Sequence, residues 1–277
     1  MLRARLATAA VVIPLLLVLI LAAPAWAFAL VVGALAVVGV LEFMSMAFPQ
    51  QRRDRVVGIS LGVLVTVAAT AGSAPALHAA IAGTLAVGLL SAFVQRTDFE
   101  TGFKNLGIIV VGVLYAGFLL PHFVWLRENV AHGAEVVIFL LATAMAGDSG
   151  GYFIGRSLGR HKLMPRVSPG KSVEGAAGIV VFSVVGAAVA KAILVPVLGW
   201  AGGVSFELPL SWAETVWLSL MVGVVGQLGD LSESVMKRTF GSKESGWVFP
   251  GHGGVLDRID SLLFPLIFVY YYLIMGR

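Results

Sequence analysis

Residues 249–275 read FPGHGGVLDRIDSLLFPLIFVYYYLIM: a glycine-rich polar turn that runs without a break into a long apolar segment. The apolar part, about 259–275, matches the roughly 17–25 residues a helix needs to cross the hydrocarbon core of a bilayer. Comparable runs lie at about 7–25, 27–48, 56–73, 76–94, 106–126, 134–155, 174–199 and 211–229. The expected fold is all-α: a polytopic integral membrane protein with about nine transmembrane helices. Composition supports that class. Hydrophobic residues make up 58% of the 277 and charged residues 12%, with a mean hydropathy of +0.94. Soluble domains carry about 25% charged residues.

The absence of cysteine excludes disulfides, thiolate metal sites and cysteine nucleophiles together. The N-terminus resembles a secretory leader, with Arg3 and Arg5, an apolar run, then Ala25-Trp26-Ala27. The run is long for a leader core, so a first spanning helix is expected instead. With the N-terminus in the cytoplasm, 16 of the 19 Lys and Arg residues fall on the inner face. Only Arg127 and Arg277 fall outside, and Lys191 lies within the seventh run. Basic residues concentrate on cytoplasmic loops, so the opening turn is expected to face the cytoplasm. One membrane domain is the economical reading, with 1–130 as scaffold helices and 131–277 as the region that carries the chemistry.

The polar residues of that region collect in two segments, 146–175 and 226–260. Asp148 and Asp230 each follow an apolar run directly; a carboxylate at such a depth needs a partner or a polar cavity. Asp257 and Asp260 are three apart and share a helix face. They could cap the last helix and pair with Arg258, or offer hard oxygens to magnesium beside a phosphate. Lys237, Arg238 and Lys243 stand near them, opposed by Glu233 and Glu244. Alone, such a basic cluster reads as a topology signal or an anionic-lipid contact. Gly251, Gly253 and Gly254 change that reading, because glycines let backbone amides close on an anion. Carboxylates, fixed cations and a glycine turn are equipment for phosphoryl chemistry. His252, between glycines, could hydrogen-bond within the turn, contact a phosphate or move a proton. PRVSPGKS, residues 165–172, ends like a P-loop but opens on Pro165 and lacks the βαβ setting. What remains is a turn of Ser168, Gly170, Lys171 and Ser172 that could hold a phosphate. No two histidines have zinc-type spacing.

Ser234-Val-Met-Lys237-Arg238, then Lys243-Glu244-Ser-Gly246, then Pro250-Gly251-His252-Gly253-Gly254-Val-Leu-Asp257-Arg258-Ile-Asp260 resembles the signature of the phosphatidate cytidylyltransferases, or CDP-diacylglycerol synthases. Gly229-Asp230-Leu231-Ser232-Glu233-Ser234, Asp148-Ser149-Gly150 and Val167 to Ser172 resemble the family's other motifs. Two positions depart from the pattern: Glu244 where aspartate is usual, and Val173 where tryptophan is common. The resemblance implies that CTP and phosphatidate give CDP-diacylglycerol and diphosphate with Mg2+, in a cytoplasmic membrane. It leaves open a second metal ion, divalent or monovalent, and a homodimer; no nucleic-acid partner is expected.

Residue roles follow from the resemblance. Asp230 and Asp257 would hold metal, with Asp260 next. Lys237 and Arg238 would bind the lipid phosphate or the triphosphate, with Lys243 and Arg258 as further substrate-binding cations. Ser234 would hydrogen-bond phosphate. The Gly251–Gly254 turn and His252 would steady the leaving diphosphate, while Asp148, Ser168 and Lys171 would close the site from the other segment. Rival readings are a CTP-dependent polyprenol or phytol kinase, an ether-lipid cytidylyltransferase, and a secondary transporter with Asp148 and Asp230 as ion carriers. The transporter reading predicts repeated halves and mid-membrane polar residues, neither of which the sequence shows.

Overall fold

The computed structural model describes residues 2–94, 98–202, 206–246 and 253–276. The elements are α1 (Leu2–Leu21), α2 (Ala25–Ala47), α3 (Arg52–Thr70), α4 (Ala74–Val94), α5 (Phe99–Gly112) and α6 (His122–Asn129). Then come α7 (Gly133–Leu158), a two-stranded hairpin of β1 (Lys162–Met164) and β2 (Ser168–Ser172), α8 (Val173–Val189), α9 (Val195–Ala201), α10 (Trp212–Thr239) and α11 (Leu256–Met275). Wide π turns, Val113–Phe118 and Ala190–Leu194, lie between α5 and α6 and between α8 and α9. The chain is an all-α polytopic membrane protein, and each apolar run of the sequence falls on a helix or on such a helix pair.

By length and hydropathy, seven of these segments are fit to cross a membrane: α2, α4, Phe99–Asn129, α7, Val173–Ala201, α10 and α11. The expected nine differ from this count at α3 and α1. α3 opens on Arg52, Arg53, Asp54 and Arg55, which lower its mean hydropathy, and α1 contributes the shorter apolar stretch Val12–Leu21. Asp54 itself is buried and accepts a hydrogen bond from Asn105 Nδ2 at 2.8 Å.

Local chemistry sets the helix ends. Pro24 separates α1 from α2 in an extended conformation. Asp98 accepts from the amides of Glu100 and Thr101 to start α5, and Ser172 accepts from Gly175 N to start α8. At α10, Ser211 and Glu214 form a reciprocal capping box. The division at residue 130 falls in the short turn between α6 and α7.

Small residues let the C-terminal helices pack closely, as membrane helices do in the absence of a hydrophobic drive between them. A Cβ on Gly175 of α8 would stand 3.1 Å from Gly151 O of α7, and one on Gly226 of α10 would stand 2.8 Å from Ser261 O of α11. The core runs from Phe43, Met44 and Phe48 of α2 through Phe139 and Leu140 of α7 to Leu263 and Leu266 of α11.

Candidate active site

On α10, Asp230, Glu233, Ser234 and Lys237 recur at helical spacing, so one face carries all four. Asp257 and Asp260 do the same on α11, which packs against that face. Lys237 ties the two helices together. Its Nζ donates to Glu233 Oε2 at 2.8 Å and to Asp257 Oδ1 at 2.5 Å. Glu233 is buried and the other two largely so, with side-chain exposures of 12% for Lys237, 1% for Glu233 and 10% for Asp257. One ammonium shared by two carboxylates at that depth leaves a net negative cluster, which favours an added cation. Asp260 lies one turn further along α11, where its Oδ1 accepts from Ser261 N at 2.7 Å.

Asp257 uses its second oxygen to organise backbone. Oδ2 accepts from Ser245 N and Ser245 Oγ, both at 2.8 Å, and from Gly254 N at 2.9 Å. The loop after α10 is thereby pinned to the turn before α11. Gly253 takes φ +79°, which L side chains rarely adopt, and a Cβ there would also stand 2.7 Å from Asp257 Oδ2.

A residue that the sequence reading passed over completes this end. Glu42, on α2 and only 7% exposed, accepts from Val255 N at 2.9 Å and Leu256 N at 3.1 Å. Ser245 Oγ lies 3.4 Å from its Oε2. Val255, the residue at the helix cap, supplies no side-chain hydrogen bond; a carboxylate from the scaffold half caps α11 instead. Gly246 and Gly254 have no room for a Cβ because Glu42 fills the space.

The second polar segment arrives across α7, α8 and the hairpin. Lys171 Nζ pairs with Asp230 Oδ2 at 2.6 Å, and Ser261 Oγ donates to Asp148 Oδ2 at 3.0 Å. Ser234 Oγ is 3.5 Å from Asp230 Oδ1, the outer limit of a hydrogen bond. Asp148, Gln227, Asp230 and Ser261 line a narrow cleft between the helices. The fold thus brings Asp148, Lys171, Asp230, Glu233, Lys237, Asp257 and Asp260 to one end of the bundle.

Other sequence-picked residues stand differently. Arg238 donates to Val167 O at 3.4 Å and Ser242 O at 3.2 Å, joining the hairpin to the loop after α10. Ser168 lies in β2, where it pairs with Met164 instead of forming an open turn. Lys243 and Glu244 are exposed, as is Arg258 at the start of α11. Gly251 and His252 lie outside the described residues.

The donor set suits a hard cation. Asp230 of α10 and Asp260 of α11 offer carboxylates from two helices packed so closely that a Cβ on Gly229 would collide with Asp260 O. Among the described residues no three Asp, Glu or His side chains form a closed metal cage. Magnesium commonly takes one or two carboxylates and completes its shell with water and substrate phosphate. These residues fit that mode.

A much larger cavity, about 660 Å³, lies at the opposite end, lined by Trp26, His78, Trp125, Glu128, Tyr270 and Tyr271 among others. Along α11, Asp257 and Tyr271 are ~20 Å apart at 1.5 Å per residue.

A model of the family described as "Cytidylyltransferase family" matches residues 3–275. The chain belongs to the cytidylyltransferase family. Among its relatives, a phosphatidate cytidylyltransferase of Bacillus subtilis (strain 168) is 37% identical over 171 residues, 62% of this chain and 59% of that protein. A phosphatidate cytidylyltransferase of Brucella suis biovar 1 is 42% identical over 159 residues, 57% of this chain and 54% of that protein. An Escherichia coli protein, "Uncharacterized protein YnbB", is 38% identical over 166 residues, 58% of this chain and 51% of that protein. The chain therefore spans somewhat more than half the length of the relatives it matches. The ionisable groups converge at the polar end, and the large aromatic cavity holds few of them.

Proposed function

We propose that this protein is a phosphatidate cytidylyltransferase that works at the cytoplasmic end of its bundle: CTP and phosphatidate give CDP-diacylglycerol and diphosphate. The observation that carries this reading is the convergence of five acidic residues, Asp148, Asp230, Glu233, Asp257 and Asp260, with Lys171 and Lys237 at one end of a membrane bundle. Family membership and the names of the relatives support it.

In the reaction, an oxygen of the lipid phosphate attacks the α-phosphorus of CTP. A phosphorus–oxygen bond forms there, the bond to the bridging oxygen breaks, and diphosphate leaves with the electron pair. The nucleophile is already an anion near neutral pH, so no strong base is required. The barrier lies in bringing two anions together, which positioning and charge neutralisation address. Lys237 and Lys171 are the cations within reach. In the free protein each rests on a carboxylate, so an arriving phosphate would exchange one anion for another without stripping either lysine bare. Asp230 and Asp260 would hold Mg2+, which supplies charge neutralisation at the phosphates. Asp257, with both oxygens engaged, would hold Lys237, Ser245 and Gly254 in place. The diacyl chains would remain in the bilayer beside α10 and α11, and CTP would enter from water. The basic residues on this side of the bundle support a cytoplasmic placement and an N-terminus inside.

The test uses purified protein in detergent with short-chain phosphatidate and Mg2+. Label from α-³²P CTP should enter the lipid while diphosphate is released. Label entering only from the γ-position would replace this reading with a CTP-dependent lipid kinase. No transfer from a folded protein with any acceptor would remove the enzyme reading.

A further inference from the structure

The hydrogen bonds at the start of α11 form a pattern that the reaction itself does not explain. Three consecutive amides point at two carboxylates from distant parts of the chain: Gly254 N at Asp257, and Val255 N and Leu256 N at Glu42. Ser245 lies between the carboxylates. Its Oγ donates to Asp257 Oδ2 at 2.8 Å, accepts from Asp257 N at 3.3 Å and lies 3.4 Å from Glu42 Oε2. From the scaffold half, Glu42 thus controls where the turn, Ser245 and the Asp257 backbone sit. Through Asp257 Oδ1 it also sets where Lys237 Nζ sits.

We infer that Glu42 is a positioning residue for nucleotidyl transfer, acting from α2 by capping α11 and so fixing the Asp257–Lys237 pair. The inference rests on the function proposed above. Two further features point the same way. A buried carboxylate in an apolar helix is costly unless its oxygens are used, and both Glu42 oxygens are used on this one feature. Gly246 and Gly254 cannot carry a Cβ without meeting Glu42, so two nearby glycines are shaped to a residue of the distant scaffold half. One consequence concerns the substrate. A helix N-terminus is an anion site, and here the protein's own carboxylates occupy it, which leaves the phosphates to the lysines.

The experiment uses the full chain in detergent. Wild type, Glu42→Gln and Glu42→Asp are compared by hydrogen exchange of peptides covering 240–260, by thermal unfolding and by kcat and KM for CTP. Glu42→Gln keeps the size and removes the charge. It should unfold close to wild type, exchange the Val255 and Leu256 amides faster, and lower kcat by about 10- to 100-fold, the range for losing hydrogen bonds to a charged group. KM for CTP should change much less, because Glu42 touches no substrate. Glu42→Asp should recover part of both exchange protection and kcat.

Unchanged exchange and turnover in Glu42→Gln would overturn the inference. So would a loss of activity that only follows the loss of folded protein. If Glu42→Gln does not fold, Glu42→Asp decides, and wild-type exchange and kcat there would sink the idea. A wild type that protects these amides yet transfers no CMP would remove the proposed function and leave the cap. A wild type that transfers CMP while both variants match it would remove only the role of Glu42.

Discussion

The two ends of this bundle differ in how they use space. At one end, charged residues crowd together and nearly close on themselves. Lys237 bridges two carboxylates, Lys171 covers Asp230, and the cleft between the helices is narrow. At the other end a cavity of about 660 Å³ is ringed by Trp26, Trp125, Tyr270 and Tyr271. Volume alone would place the ligand at the aromatic end. Under the function proposed above charge favours the polar end, because desolvated carboxylates and lysines are retained at such cost only where something uses them. Aromatic residues gathered near the end of a bundle are ordinary for a membrane protein, where they meet the lipid headgroups.

Substitutions at the two ends test that comparison. The largest effect is expected for Lys237→Met, which leaves Asp257 and Glu233 buried without their cation. Breaking a buried pair costs about 3–5 kcal/mol, and CMP transfer should fall by at least ~10³-fold; near-normal turnover would move the chemistry away from this end. Asp257→Asn should follow at about 10²-fold, since one acceptor is replaced by a donor that faces Ser245 N or Lys237. If its Mg2+ dependence stays as in wild type while turnover falls, Asp257 acts through Lys237 and the turn; a raised Mg2+ requirement would make it a ligand. Gly229→Ala pushes a Cβ against Asp260 O and should destabilise by about 1–3 kcal/mol, read as a lower melting temperature in detergent. An unchanged melting temperature would show that α10 and α11 can separate there freely. The smallest effect is expected at the aromatic end, where Tyr271→Ala should leave CMP transfer within about twofold, as for a change distant from the chemistry. A large loss there would reverse the assignment of the two ends.

Much of the polar end is legible in the sequence, for a local reason. Asp230, Glu233, Ser234 and Lys237 recur at helical spacing, so their common face follows from the period of the helix alone. Asp257 and Asp260 repeat that logic on α11. The membrane class follows equally directly, because apolar runs of this length have few other solutions. Less was legible in the connecting segments, where no helical period fixes which residues meet. Ser168 suggests an open turn for phosphate, whereas strand pairing with Met164 draws it into a hairpin. Arg238, expected to bind phosphate, holds two carbonyls in the free protein, contacts that no motif announces.

The sequence by itself determined the solvent of this protein, the approximate course of its helices and the two segments where ionisable groups collect, because each depends on neighbours along the chain. Only the tertiary structure decided which carboxylate faces which cation, and that the last helix is capped from α2. Glu42 stands alone in an apolar helix and meets Val255 across 213 residues. No periodicity or motif reaches that far. Such a contact exists only once the packed helices bring an unpaired carboxylate to unpaired amides, and burial leaves each of them no better partner.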